Sequence, residues 1–274
     1  MRNILIFIVL CALFIWLGLP LVLSALGLHP RYSGQTYALP GKRALIITTS
    51  HKTLGEGGRA TGVFGSEMTA PYYAFQDAGM QVDVASVQGG EIPIEPGSFL
   101  WLLSAPSDNR YLKDIEFQGK VKSSRRIDDL DFTQYDIIFL AGGWGAAYDL
   151  GTSVALGQKI SQAWAAQRVV GGVCHGPLGL LLATDARGVS LVKGRHLTAV
   201  TNRQVQQLGI TLTPQHPERE LRAAGALFES SSALLDVFAN HTVVDGRLVT
   251  GQNQNAGVET AQKMLLAAGG RPPS

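Results

Sequence analysis

The chain has 274 residues, with 23 Lys and Arg against 21 Asp and Glu, a formal net charge of +2 and 46% hydrophobic residues. That near balance, without a long basic cluster, leaves no electrostatic footprint for nucleic acid, and the length suits one large α/β domain with an appendage. The two cysteines, Cys11 and Cys174, lie in segments remote from each other, so no structural disulfide is expected and cysteine usage does not fix the redox compartment.

The appendage comes first. Ile4 to Leu28 is a run of 25 residues without a formal charge, long enough at about 1.5 Å per residue to cross a hydrocarbon core of about 30 Å with some tilt. Its length exceeds the roughly 7 to 15 residues of a signal core, which favours an uncleaved single-pass anchor, although Leu23-Ser24-Ala25 offers a weak cleavage site and keeps a signal peptide as the alternative. Trp16 and Pro20 fall inside the run, and Pro20 can kink it without ending it. Arg2 on one side is opposed by Arg31, Lys42 and Arg43 on the other, so charge leaves the side of the soluble part open. Residues 29–41, with two prolines and two glycines, read as a short tether to a domain over 42–270 with a tail at 271–274.

From Lys42 onward, apolar runs alternate with helical spacing, the pattern of a mostly parallel sheet with helices on both faces, a flavodoxin-like sandwich. Strands are expected at Ala44–Thr48, Val82–Val87, Ile137–Leu140, Val169–Val173 and Leu197–Val200. Met68–Ala78 reads as a helix with Pro71 in its first turn and Gly79 as its left-handed stop. Leu156, Ile160, Ala163 and Trp164 mark a helix between the third and fourth strands. Asp245-Gly246 signals a hairpin between Thr242–Val244 and Arg247–Thr250, and a helix over Val258–Ala268 closes the domain. Gly55 to Gly58 with Gly62 lacks the Gly-Lys-Ser/Thr ending of a phosphate loop and reads as a flexible rim.

Chemistry concentrates at the ends of these strands, where open α/β sheets bind ligands. Gly172-Val173-Cys174-His175-Gly176-Pro177 follows the fourth strand and precedes a helix-like run, Leu178 to Ala183. The Gly-x-nucleophile-x-Gly pattern puts the Cys174 side chain on a tight corner above the sheet edge, with Pro177 suited to the first helical turn. A helix start beneath the thiol is expected to lower its pKa from roughly 8.5 toward neutrality. The alternative is a buried structural cysteine. Thr49-Ser50-His51 and Gly142-Gly143-Trp144-Gly145 follow two other strands and converge on the same place, making Gly142, Gly143, Trp144 and His51 candidates for the pocket. The Gly143 and His175 amides are candidate oxyanion donors, with a plain tight turn as the other reading of Gly143. The six histidines are scattered without the spacing of a metal site, and no cofactor or metal is expected.

Val173 to Pro177, together with Thr61-Gly62-Val63-Phe64-Gly65-Ser66-Glu67, Tyr135 to Gly145 and Val244 to Asn253, resembles the ThiJ/PfpI superfamily, whose fold is often described as type 1 glutamine amidotransferase-like. The resemblance covers about Gly41 to Leu266 and points to the chaperone and glyoxalase III branch. It implies that Glu67 faces Cys174, that His175 is the acid/base partner, and that the substrate is a small reactive carbonyl. In the glyoxalase III reaction the thiolate attacks methylglyoxal, a proton moves between the two carbons, and hydrolysis of a thioester releases lactate without glutathione or metal. Burial beside sulfur would raise the Glu67 pKa toward working pH; the plainer role for Glu67 is to bias a helix N-terminus.

The chain departs from the family pattern in three places. Thr201-Asn202-Arg203-Gln204-Val205-Gln206-Gln207 has no carboxylate where the family places an acid to orient the histidine. Trp144 stands where a histidine is common, and Gln254-Asn255 replaces a Pro-containing stretch. A bulkier or more apolar substrate, or loss of catalysis, would follow. His216-Pro217-Glu218 resembles the His-x-Glu half of an amidotransferase triad, but a helix start with Pro217 in its first turn is the better reading. A tethered chaperone or binding module and a cysteine hydrolase are the remaining alternatives. The expected partners are a small carbonyl substrate, a lipid bilayer through residues 4–28 and a second copy in a homodimer.

Overall fold

The structure, a computed structural model, describes residues 2–233 and 235–273. An apolar helix opens the chain as α1 (Arg2–Leu13), a five-residue π turn (Phe14–Gly18) and α2 (Leu19–Ala25). The domain follows as β1 (Arg43–Thr48), the small hairpin β2 (Thr53–Leu54) and β3 (Arg59–Ala60), α3 (Gly65–Asp77), β4 (Gln81–Ser86), α4 (Pro106–Tyr111), α5 (Ile115–Lys122) and β5 (Arg125–Arg126). Its second half runs β6 (Ile137–Leu140), α6 (Ala146–Asp149), α7 (Val154–Ala165), β7 (Val169–Val173), β8 (His196–Leu197), α8 (Asn202–Gln207), α9 (Pro217–Ala223), β9 (Leu227–Phe228), β10 (Thr242–Asp245), β11 (Leu248–Gly251) and α10 (Gly257–Ala267). Seven strands form one sheet in the order β10-β11-β7-β6-β1-β4-β5, parallel throughout except for the β10/β11 pair.

β6 and β7 are free of polar side chains, and β1 is apolar between Arg43 and Thr48, because both faces of the sheet are covered. Ala44 and Ile46 of β1, with Ile137 and Phe139 of β6, enter a core on the face where α3 and α10 pack together. Leu45, Ile47, Ile138 and Leu140 enter a second core on the face of α7. The first core contains an aromatic knot centred on fully buried Phe117: the Tyr72 ring stacks on it at 3.5 Å, and Tyr73 and Tyr111 meet it edge-on at 5.7 and 5.0 Å.

Several expectations shift. The run Leu197–Val200 is not a strand of the main sheet: only His196–Leu197 pairs, with β9, while Thr198 donates its amide to Thr250 Oγ1 and Val200 donates to the Cys174 carbonyl. Helix α3 begins at Gly65, three residues before the expected Met68, so Pro71 lies inside the helix and leaves the carbonyl one turn back, that of Glu67, without its amide donor. Gly79 takes the expected left-handed conformation, φ +82°. The hairpin loop is Gly246-Arg247, one residue beyond Asp245-Gly246, because Asp245 pairs with Leu248. Residues 29–41 are no free tether: Ala38 and Arg271 exchange two backbone hydrogen bonds, the Tyr37 amide donates to Gln262, and Leu39 is buried and donates to Ala78.

Phe117→Ala would empty the centre of the aromatic knot and is expected to cost about 3–5 kcal/mol, read as a lower denaturation midpoint at unchanged slope. A loss under about 1 kcal/mol would show that the knot does not hold α5 to the sheet.

Candidate active site

Cys174 sits at the carboxyl end of β7 with φ +59°, a region a non-glycine residue seldom adopts. Two backbone bonds hold it there, its amide donating to the Gly251 carbonyl at 3.1 Å and its carbonyl accepting from Val200 at 3.1 Å. The corner expected from Gly172 to Gly176 is therefore present, but the chain beyond it forms a short 3-10 turn, Gly176–Leu180, in place of an α-helix over Leu178–Ala183. Without a helix beneath the sulfur, the expected fall in pKa does not occur. The thiol is pushed well above its ordinary range, first by burial and then by the charge of Glu67, against a smaller opposite pull from the Gly143 and His175 amides.

Glu67 lies in the first turn of α3 and is buried. Burial pushes its carboxyl up to about 8, while the Cys174 thiol and the Gly142 and Gly143 amides pull the other way. The amides face it loosely, and its Oε2 has no hydrogen-bond partner of ordinary geometry. The double glycine makes this approach possible: a Cβ on Gly142 would lie 2.4 Å from Glu67 Oε2, and one on Gly143, which has φ +97°, would lie 2.4 Å from the Gly62 carbonyl and the Phe64 amide. Gly62–Phe64 is held from the other side, since Val63 donates to the Pro93 carbonyl and Glu95 donates back to Val63.

His175 is fully buried, with Nδ1 3.4 Å from Cys174 Sγ and the Trp144 ring edge-on at 5.3 Å. Burial, helped by nearby His216, lowers its pKa to about 3, so the ring is neutral. Among the described residues its Nε2 has no hydrogen-bond partner. Gln204 does not supply one, because its amide nitrogen donates to the Asp236 carbonyl at 2.7 Å and its Oε1 accepts from the Thr201 amide at 3.0 Å, completing the cap of α8. His216 caps α9 with Pro217 in the first turn, and Glu218 accepts from the Asn202 amide and Arg222. Glu218 is thus committed away from His216, as the helix-start reading requires.

Cys174, His175, Glu67, Gly143 and Trp144 line one cavity of about 110 Å³, with Gly142 against the Glu67 carboxyl. His51 is not among them. Its ring stacks on Tyr148 at 4.0 Å and bonds to the Thr53 carbonyl, while Thr49 Oγ1 and the Ser50 amide donate to Asp149 at 2.8 Å each. That cluster ties the end of β1 to α6 and so braces the turn through Gly143 to Gly145. The cavity is also lined by Leu28, His29, Leu103, Leu208 and Val237, which sequence reading missed, and by Asn253 and Gln254, which lie in or beside segments it singled out. Residues 28 and 29 gave no signal beyond an apolar run giving way to a proline. Among the described residues no cluster of three or more His, Cys, Asp or Glu side chains is placed to hold a metal ion.

A cysteine held on a positive-φ corner in a doubly covered parallel sheet, with a carboxyl brought to the thiol from α3, defines a class of cysteine-centred α/β proteins. The chain belongs to the DJ-1/PfpI family, which it matches over residues 59–267. It is 29% identical over 239 residues to the glutathione-independent glyoxalase hsp3101 of Schizosaccharomyces pombe, covering 83% of this chain and 96% of that one. It is 30% identical over 250 residues to glyoxalase 3 of Candida albicans, with 82% and 98% covered. The crystal structure of glyoxalase III from Candida albicans superposes with a TM-score of 0.75 at 27% identity, over 82% of this chain and 97% of that one. That of the Rapid Encystment Protein 24 kDa of Francisella tularensis superposes with a TM-score of 0.77 at 29% identity, over 83% and 99%.

The raised Glu67 carboxyl has a pH signature. With a folded value of about 8 against 4.5 in the ordinary state, its contribution to stability is complete below pH 4.5 and is lost as pH rises through 8. Between pH 5 and 9 the wild type is therefore expected to lose about 4 kcal/mol relative to Glu67→Gln, read from denaturation midpoints. Parallel pH profiles for the two proteins would show that Glu67 is not buried as an acid.

Proposed function

We propose that the protein is a membrane-anchored glyoxalase of the glyoxalase III type, which adds water across a 2-oxoaldehyde such as methylglyoxal to give the 2-hydroxy acid, lactate, without glutathione. The observation that carries this reading is the sealed trio of Cys174 on its positive-φ corner, Glu67 facing the sulfur and His175 Nδ1 at 3.4 Å from it. The curated relatives named above support the reaction type.

The protons can be followed through the reaction. Near pH 7 Cys174 and Glu67 are protonated and His175 is neutral. As Sγ bonds to the aldehyde carbon, the thiol proton passes to His175 Nδ1, and the carbonyl electron pair moves to oxygen, which takes the Glu67 proton. The Gly143 and His175 amides, which face the sulfur, serve as donors to that oxygen. Glu67, now a carboxylate, removes the hydrogen from the same carbon, and the neighbouring carbonyl oxygen takes the proton held by His175, giving an enediol. Glu67 returns its proton to the second carbon and accepts the hydroxyl proton of the first, leaving a thioester. Water then adds to that carbonyl, the carbon–sulfur bond breaks, and Cys174 recovers its proton. A carboxyl titrating near the working pH suits this shuttling. His175 is the weaker partner, since no carboxylate supports its Nε2.

Anchoring rests on the N-terminal helix. Asn3–Ala25 is 23 residues long with a mean hydropathy of 2.9, is unburied by the domain, and is long and apolar enough to cross a membrane. A signal sequence has the same composition, and the anchored state is chosen here on its length.

With the full chain in detergent, Cys174→Ala is expected to abolish glutathione-independent lactate formation from methylglyoxal, and Glu67→Gln and His175→Ala to lower kcat/KM by about 10²–10⁴. Comparable turnover by wild type and Cys174→Ala would rule out this chemistry. In cells, the full chain is expected to stay in the membrane pellet through an alkaline carbonate wash; recovery in the supernatant, shortened at its N-terminus, would establish a cleaved signal sequence.

A further inference from the structure

Two residues that line the Cys174 cavity, Leu28 and His29, come from outside the region matched by the family. Leu28 follows directly on the apolar helix, its amide bonding back to the Leu23 carbonyl, and only 7% of it is exposed. His29 holds φ +47°, which a non-glycine residue adopts only when its surroundings enforce it. They do so here: its amide donates to Asn255 Oδ1 at 2.9 Å, and its ring Nε2 donates to the Leu103 carbonyl at 2.6 Å. Asn255 is itself fixed by donating to the Val237 carbonyl. The segment is latched across the cavity.

Leu103 is the last residue of an apolar loop, Phe99-Leu100-Trp101-Leu102-Leu103. Trp101 stacks on Trp16 of the N-terminal helix with ring centroids 5.4 Å apart, although Leu100 and Trp101 are 57% and 46% exposed. The helix and the loop thus run together into one cavity wall. Around the thiol the other lining side chains include Trp144, Val200, Leu208 and Val237, and among the described residues no Lys or Arg lines the cavity. No fixed cation is therefore in place for a carboxylate or phosphate on the substrate, and the polar groups that do line it are uncharged amides, the His29 ring, whose pKa burial lowers and whose Nε2 is taken by Leu103, or groups at the reacting centre. The cavity, about 110 Å³, is of the same order as an engineered apolar cavity of roughly 150 Å³ that takes benzene.

We propose that the site prefers 2-oxoaldehydes whose apolar substituent is larger than methyl, with Leu28 and Leu103 forming the subsite for that substituent. This rests on the glyoxalase reading above and narrows its substrate; the bonds made and broken are the same.

The test uses the full chain in lipid nanodiscs with phenylglyoxal and methylglyoxal. The expected kcat/KM is at least about tenfold higher for phenylglyoxal, and Leu28→Asp is expected to bring the ratio of the two toward one. Equal or better use of methylglyoxal by the wild type would overturn the inference while leaving the glyoxalase reading intact. Turnover of neither would defeat that reading, and the subsite is then judged by protection of Cys174 from iodoacetamide, followed on its own peptide by mass spectrometry. Stronger protection by 1-phenylpropane-1,2-dione than by butane-2,3-dione would uphold the apolar subsite, and equal protection would overturn it.

Discussion

The burial of a thiol against a carboxyl dominates this molecule. Taking either group out of water favours its neutral form, and the charge of Glu67 further opposes ionisation of Cys174, while the hydrogen bond from the thiol only partly offsets the burial of Glu67, so near pH 7 both keep their protons. His175 beside them is neutral for the same reason of burial. The resting centre therefore carries no charge, which is what allows it to sit in a pocket walled largely by hydrocarbon. In the proposed reaction charge appears only as the sulfur attacks, and the groups that would then exchange protons are already in contact. The same arrangement would limit that chemistry, because an imidazole whose far nitrogen is unsupported is a poor store for a proton.

The scaffold serves this arrangement by rigidity at a few backbone points. A positive φ on Cys174 costs of order 1–3 kcal/mol and persists because Gly251 and Val200 bond its amide and carbonyl from two sides. The turn after β6 comes against Glu67 only because Gly142 has no side chain, and Asp149 holds that turn to the end of β1 through Thr49 and Ser50. These contacts converge at the carboxyl ends of three adjacent parallel strands, β1, β6 and β7, which fits the general placement of ligands in open α/β sheets.

Much of this was legible in the sequence because it is encoded locally. Alternation of apolar runs and helical spacing gave the parallel sheet, and Gly172-Val173-Cys174-His175-Gly176 gave the corner. What escaped depends on contacts distant in the chain. Leu197–Val200 has strand composition, yet its amides serve the Cys174 carbonyl and Thr250 in place of a ladder. Pro71 suggested a late start for α3, although a proline inside the helix is tolerated there. A helix start expected just after Cys174 suggested a low pKa, but pKa follows burial and the charge of a residue 107 positions earlier. His51 follows a strand end as the pocket residues do, but its ring goes to Tyr148. The wall built by Leu28 and His29 was hidden because a loop next to an apolar helix carries no periodicity to say where it docks. The family resemblance brought Glu67 to Cys174, which spacing alone could not do.

The most direct test is the pH dependence of Cys174 alkylation by iodoacetamide, followed on the Cys174 peptide so that Cys11 does not contribute. The wild type should titrate above an ordinary thiol, about 8.5, and Glu67→Gln, which removes the opposing charge, should titrate lower than the wild type. Identical midpoints, or a wild-type midpoint below that of a free thiol, would contradict the sealed thiol–carboxyl pair on which the account stands.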